Sequence, residues 1–243
     1  MAKARIVVEY PDRPTYTVRI GAGLAAQLGA DLRAAGVDSG RCLIICDSEA
    51  SNRCLPILKP ALEQAGFRVA DIAIPAVDAE DAWACIGELH RALAQLNLPV
   101  GSPVIVNACV QVEELAAFAV STYGGGYSLV LAPASLASAY RTVATDAIEV
   151  DVELPDPIVV PACPAFAVID TGFLCCESDE ELEFGFDELQ MAVDYCDAEF
   201  VAWHAENAAA LNAFDEESLI LALTQTLAAR ADAFGQEIAD RIQ

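Results

Sequence analysis

The stretch from Val104 to Gly126 most narrowly limits what this chain can fold into. Val104-Ile105-Val106 is a short, wholly apolar run, as expected of a strand covered on both faces. Val112–Thr122 then carries an amphipathic helical pattern, and Tyr123-Gly124-Gly125-Gly126-Tyr127 closes it, glycine supplying a left-handed cap. A strand passing through a short turn into a helix is the frame of a dinucleotide-binding element. In such elements the turn is glycine-rich, because bare backbone lets a pyrophosphate approach and aims N–H groups at it. Here the turn reads Asn107-Ala108-Cys109-Val110, followed by Gln111, Val112, Glu113 and Glu114. Side chains occupy the approach. Two carboxylates are predicted in the first helical turn, where they would repel a diphosphate.

The rest of the first two thirds follows the same alternation. Arg5–Tyr10 and Tyr16–Ile20 read as a strand pair around Pro11 and Pro14, and Leu24 to about Ala35 as a helix. Arg41–Asp47 is a buried strand ending in an acid. Residues 48–66 read as a helix interrupted near Pro56, Phe67–Ile74 as a strand and Glu80–Leu96 as a helix. Tyr127–Ala132 and Ala165–Ile169 are further strands. Alternating strand and helix implies parallel strands with helical crossovers, hence a Rossmann-like α/β sheet. Ligands of such sheets lie beyond the carboxyl ends of the strands, where Asp47 and Asn107 fall. Thr142–Pro164, with four prolines and several acids, reads as a loop or edge excursion. Beyond Phe173 no strand pattern remains, and helices are predicted over Glu180–His204 and Glu216–Arg241, the second capped by Asp215. The expected division is a Rossmann-like α/β domain over residues 1–174 and an all-α domain over 175–243.

Charge narrows the partners. The chain carries 37 acidic residues against 13 basic ones, a net charge of −24, and its two lysines are Lys3 and Lys59. Nucleic acid or an anionic membrane would be repelled. Solubility, or adaptation to salt, accounts for the acidity without invoking a basic partner. The nine cysteines are odd in number, form no Cys-x-x-Cys and sit partly inside apolar runs, which is the pattern of free thiols in a reducing compartment. The first residues lack a long apolar segment and no run approaches a membrane span, so a cytoplasmic protein is expected. Ser135 and Ser138 lack a Gly-x-Ser-x-Gly elbow. The acids of Glu177–Glu183 suit a helix start better than a calcium loop.

Read in order, several segments resemble the 3-dehydroquinate synthase family, within the sugar-phosphate cyclases. They are residues 16–29 (YTVRIGAGLAAQLG), 62–69 (LEQAGFRV), 74–83 (IPAVDAEDAW), 114–126, 132–138 (APASLAS), 164–174 (PAFAVIDTGFL), 185–190 (GFDELQ) and 200–223. The resemblance spans nearly the whole chain and rests on the collinear order of these pieces. It implies a two-domain fold and dimerisation. It also implies a multistep carbon–oxygen lyase reaction of the shikimate pathway on a keto-acid phosphate, using NAD and a divalent metal, zinc or cobalt.

Residue by residue, the resemblance implies a degenerate, C-terminally truncated member. Asp47 matches an acid that could hold a ribose hydroxyl, and Ser135 replaces a threonine. The family's triple glycine is Ala108, Cys109 and Val110, its Gly-Asp pair is Glu113-Glu114, and its Gly-Glu-x-x-Lys turn is Val77-Asp78-Ala79-Glu80-Asp81, with an acid for the lysine. Glu188 matches the carboxylate metal ligand, while the histidine ligands of the family fall past the residues of this chain. Cys196 and His204, eight apart on one predicted helix, could share a face, as ordinary packing would also arrange. In the substrate region a key lysine is Ala147, Arg141 opens the matching segment, and Arg230 replaces a lysine. Asp146, Glu149, Asp151 and Glu153 are gained, so a phosphate would meet repulsion. The resulting expectation is a pseudoenzyme with no cofactor, acting as a ligand-binding or noncatalytic subunit in a homodimer or with a related chain. The alternative is a divergent but active synthase that keeps NAD and zinc or cobalt, its missing ligands supplied by a partner.

Overall fold

The computed structural model describes residues 3–75, 77–161, 164–174 and 179–242. At one sheet edge β1 (Lys3–Val8) and β2 (Tyr16–Gly21) form an antiparallel hairpin, Val8 opposite Tyr16. A 3-10 turn at Ala25–Gln27 leads into α1 (Leu28–Ala34). Then come β3 (Arg41–Asp47), α2 (Ser48–Arg53), α3 (Leu55–Gln64) and β4 (Arg68–Ile74). They are followed by α4 (Ala82–Leu96), β5 (Pro103–Asn107), α5 (Val110–Tyr123), β6 (Ser128–Leu131) and α6 (Leu136–Thr142). After a second, two-stranded sheet made of β7 (Ala147–Val150) and β8 (Ile158–Pro161), the chain returns as β9 (Phe166–Asp170). The main sheet has seven strands in the order β1-β2-β9-β6-β5-β3-β4, and every pairing but β1 with β2 is parallel.

Burial explains the strand sequences. β3 is buried from Cys42 to Asp47 and β5 throughout, because helices cover both faces of the central strands. β1, at the edge, buries only Ile6 and Val8 of its six residues. One face of the sheet packs Leu28, Leu32, Leu58 and Leu62 against Ile44, Ile105 and Val130. The other face shares a continuous apolar cluster with α5 and the last helices, joining Ile20, Val106 and Ile169 to Leu189, Leu223 and Leu227. Burying each such leucine contributes about 1.5–3 kcal/mol. α5 ends at Gly124, whose φ of +73° makes the left-handed cap expected of the glycine run.

Three sequence expectations change in detail. The proline-rich segment after Thr142 contains the β7–β8 hairpin, because Ile148 and Val150 are buried against the body while the residues between the strands are exposed. The helix expected over Glu180–His204 is two helices, α8 (Asp179–Val193) and α9 (Ala198–Asn212). Asp197 divides them: its side chain accepts a bond from the Phe200 N–H at 2.9 Å and starts the second helix. The first part of the expected Leu24 helix is the 3-10 turn. Part of the acidic run Glu177–Glu183 lies outside the described residues. α7 (Thr171–Leu174) follows β9, and α10 (Glu216–Ile242) crosses β1 and β2.

Gly185 lets α8 lie directly on the start of α6. A Cβ there would stand 2.7 Å from Leu136 Cβ and 3.1 Å from the Ala137 nitrogen. This close approach carries Glu188 toward Arg141, one turn further along α6. Among the described residues, no helix is long and apolar enough to cross a membrane. Six described cysteines, Cys42, Cys46, Cys54, Cys85, Cys109 and Cys196, form no disulfide, while the remaining three lie outside the described residues.

Candidate functional site

β3 has β4 on one side and β5 on the other, so the strand order reverses there and a crevice opens beyond Asp47 and Asn107. A cavity of about 280 Å³ lies at this point, lined by Asp47, Ser48, Glu49, Arg53, Cys109, Ala134, Ser135 and Glu181. The sequence pattern puts Asp47 and Asn107 at this end of the sheet and the family resemblance adds Cys109 and Ser135; the fold brings Asp47, Cys109 and Ser135 around one cavity. Val110 is half-buried at the start of α5, Ala108 is fully buried, and Asp78 is exposed and does not line the cavity.

Asp47 is committed to backbone. Its Oδ1 accepts from the Glu49 and Ala50 N–H groups at 2.8 and 2.7 Å, capping α2. Its Oδ2 accepts from the Cys109 N–H at 2.6 Å. The amide that a glycine cradle would offer to a phosphate is thus held by an internal carboxylate. Cys109 adds a side chain at the same point, and burial, reinforced by the Asp47 charge, pushes its thiol up to about 12. It is therefore not a thiolate nucleophile. Ser135 caps α6 through the Ser138 N–H at 3.0 Å, and the two hydroxyls lie 2.6 Å apart. Ser138 in turn donates to the Ala108 carbonyl at 3.0 Å. Asn107 Nδ2 donates to the Ala132 carbonyl at 2.5 Å. These bonds knit the crevice wall and leave a ribose or pyrophosphate little to hold. Asp47 does not fit the ribose role, because both its oxygens are engaged.

The expected repulsion by Glu113 and Glu114 is corrected. Glu113 is wholly buried and accepts from Thr142 Oγ1 at 2.7 Å. Burial holds its carboxyl well above the ordinary glutamate range, which favours the neutral form. Glu114 lines a different cavity. The side chains of a first helical turn fan around the axis, so these two leave the crevice while Cys109 faces it.

That second cavity, about 170 Å³, lies between α5, α6, β7, α8 and α10. It gathers Glu114, Arg141, Glu188 and Arg230, together with Tyr140, Thr145, Ala147 and Glu149. Arg141 Nε lies 2.6 Å from Glu114 Oε1, and its Nη1 lies 3.5 Å from Glu188 Oε1. Burial raises the Glu114 carboxyl and Arg141 opposes that shift, while Glu149 and Glu188 add to it. Arg230 donates through Nη2 to the Val143 carbonyl, and its guanidinium carbon lies 5.8 Å from the Tyr140 ring centre. Of the four acids expected to repel a phosphate, only Glu149 lines this cavity. Asp146 offers its carbonyl to Arg13, and Asp151 and Glu153 are exposed in the β7–β8 turn, where the Asp151 carboxylate accepts from the Glu153 N–H.

A family-type metal does not fit this arrangement. Glu188 already faces a guanidinium, and among the described residues no group of three or more His, Cys, Asp or Glu could hold an ion. His90 bonds the Ala119 carbonyl and Thr122 between α4 and α5, away from both serines. Cys196 lies in the link before α9, so it does not share a helix with His204.

Asp170, at the carboxyl end of β9, was missed from sequence. Its oxygens accept from Gly23, Gly172 and Ala25 N–H groups at 3.0, 3.0 and 2.8 Å. The signal was present, since an apolar strand ending in an acid is also the pattern of Asp47.

No family model matches the chain. The 3-dehydroquinate synthase of Symbiobacterium thermophilum is 32% identical over 121 residues, half of this chain and 34% of that protein. Those of Zymomonas mobilis subsp. mobilis and Pseudomonas syringae pv. tomato are each 25% identical. The former match covers 89% of this chain and 57% of that protein, the latter 95% and 62%. This chain therefore spans about one third to three fifths of the length of these relatives. Among solved structures, 2-deoxy-scyllo-inosose synthase complexed with carbaglucose-6-phosphate, NAD+ and Co2+ superposes with a TM-score of 0.77 at 12% identity, covering 98% of this chain and 65% of that one. 2-epi-5-epi-valiolone synthase from Streptomyces hygroscopicus subsp. jinggangensis, with NAD+ and Zn2+ bound, gives 0.74 at 18%, covering 96% and 64%. By sequence this chain is similar to 3-dehydroquinate synthases over most of its length, and it has the α/β fold seen in 2-deoxy-scyllo-inosose synthase and 2-epi-5-epi-valiolone synthase.

Proposed function

We propose that this chain is a 3-dehydroquinate synthase-like protein that does not carry out NAD- and metal-dependent carbon–oxygen lyase chemistry, and that it serves as a ligand-binding or noncatalytic subunit. The observation that carries the reading is the bond from the Cys109 N–H to Asp47 Oδ2. A pyrophosphate at the switch point would have to break this bond, worth about 1.5–3 kcal/mol for a charged acceptor. It would also have to pass the Cys109 side chain, and it would meet Asp47 itself. The pairing of Glu188 with Arg141 supports the same reading for the metal. Association with a second copy or a related chain, in the cytoplasm, belongs to the proposal.

Titration calorimetry with NAD and elemental analysis of the purified protein test it. The expected result is no NAD binding at millimolar concentration and no stoichiometric zinc or cobalt. Tight NAD binding together with one metal per chain would overturn it in favour of a divergent, active synthase.

A further inference from the structure

Arg230 is a buried cation with no carboxylate partner among the described residues. Only 8% of the residue is exposed, its Nη2 bonds a backbone carbonyl, and its buried Nε has no hydrogen-bond partner among the described residues. No carboxylate of the described residues lies within salt-bridge distance of it. The groups that act on its charge are the tyrosines Tyr140, Tyr10, Tyr16 and Tyr195. A guanidinium cannot shed its proton in a protein, so burial without a counter-ion is costly unless an anion joins it.

The same cavity has an opposite wall. Arg141 answers Glu114 at 2.6 Å and lies 3.5 Å from Glu188, which leaves Glu149 and much of the Glu188 charge unanswered. A simple anion drawn to Arg230 would meet these acids, and a simple cation drawn to the acids would meet Arg230. A molecule carrying both charges satisfies both walls. The volume, about 170 Å³, suits only a few heavy atoms.

We infer that this cavity binds a small amino-carboxylate zwitterion, its carboxylate on Arg230 and its ammonium toward Glu149 and Glu188. The inference rests on the noncatalytic reading above and names the ligand class for the old substrate cleft.

The test uses the whole chain and four probes: L-alanine, acetate, ethylammonium and inorganic phosphate, followed by calorimetry and by amide shifts near Val143. L-alanine should bind saturably, with acetate and ethylammonium each about tenfold weaker, as expected for loss of one charged contact, and phosphate weaker still. Arg230→Gln should abolish L-alanine binding and Arg230→Lys should retain part of it, each checked for native circular dichroism. Glu149→Gln, at an exposed position that does not threaten folding, should weaken L-alanine and not acetate. The inference is overturned if L-alanine gives no saturable response, if acetate or phosphate binds as tightly, or if Glu149→Gln and a folded Arg230→Gln leave L-alanine binding unchanged. NAD titrated alongside separates the two failures. NAD binding defeats the noncatalytic reading, whereas silence from both NAD and L-alanine defeats only this inference.

Discussion

Asp47 ties the N-termini of two helices through one carboxylate, α2 by two bonds and α5 by one, and the two ties can be removed separately. Asp47→Ala deletes both. Losing the α2 cap costs about 1 kcal/mol, and losing the charged bond to the Cys109 N–H about 1.5–3 kcal/mol more. The sum is about 3 kcal/mol, which for a chain of this size lowers Tm by roughly 6–12 °C. Asp47→Asn is the sharper probe. Asparagine caps a helix as well as aspartate does, so its oxygen can keep the Glu49 and Ala50 amides that Oδ1 now accepts. Its NH2 group then replaces Oδ2 and faces the Cys109 N–H as a second donor. The asparagine variant should therefore lose about 1.5–3 kcal/mol, nearly all of it from α5. Thermal melts by far-ultraviolet circular dichroism measure the totals, and hydrogen exchange at the Cys109 amide isolates the second bond. If Asp47→Asn melts with the wild type and the Cys109 amide stays protected, Asp47 does not hold the start of α5, and the self-occupied cradle is wrong.

Two further outcomes follow from the packing around this site. The Glu113 carboxyl is raised in the folded chain, so the native state binds the extra proton. Its contribution is complete below the unfolded glutamate range and is lost as pH rises from there toward the folded value. Glu113→Gln keeps an acceptor for Thr142 and should flatten the fall in Tm between mildly acidic and mildly alkaline pH; an unchanged slope would mean that the buried carboxyl is already ionised. Gly185→Ala should cost about 1–3 kcal/mol by overpacking, since its Cβ would sit 2.7 Å from Leu136 Cβ. A variant that melts like the wild type would show that α8 does not rest on α6 at that point.

Elements were legible where local pattern and burial agree. Arg41–Asp47 and Val104–Val106 read as strands because helices cover both faces and the central positions are all apolar. β7 escaped because four residues give too short a pattern, and the division before α9 escaped because no glycine or proline marks it. Asp47 and Asn107 could be placed at one crevice because parallel topology puts strand ends together at a reversal of order, whereas Cys109 and Ser135 were named only through the family resemblance. Glu113 could not be read correctly. A residue number says that it lies in the first turn of α5, but not whether that part of the helix surface faces solvent or α6.

What the amino-acid order determined alone is therefore what depends on near neighbours: alternating strand and helix, a turn without glycines, and a shortage of cations. Only tertiary packing decided the rest. Asp47 meets Cys109 across 62 positions, and Arg230 reaches Val143 across 87. No local preference encodes such contacts, because a side chain takes its final direction only when the surface opposite it exists. That is why the carboxylate at the crevice proved to hold the Cys109 amide, while the neighbouring cavity kept a buried guanidinium with no carboxylate of the described residues within salt-bridge distance.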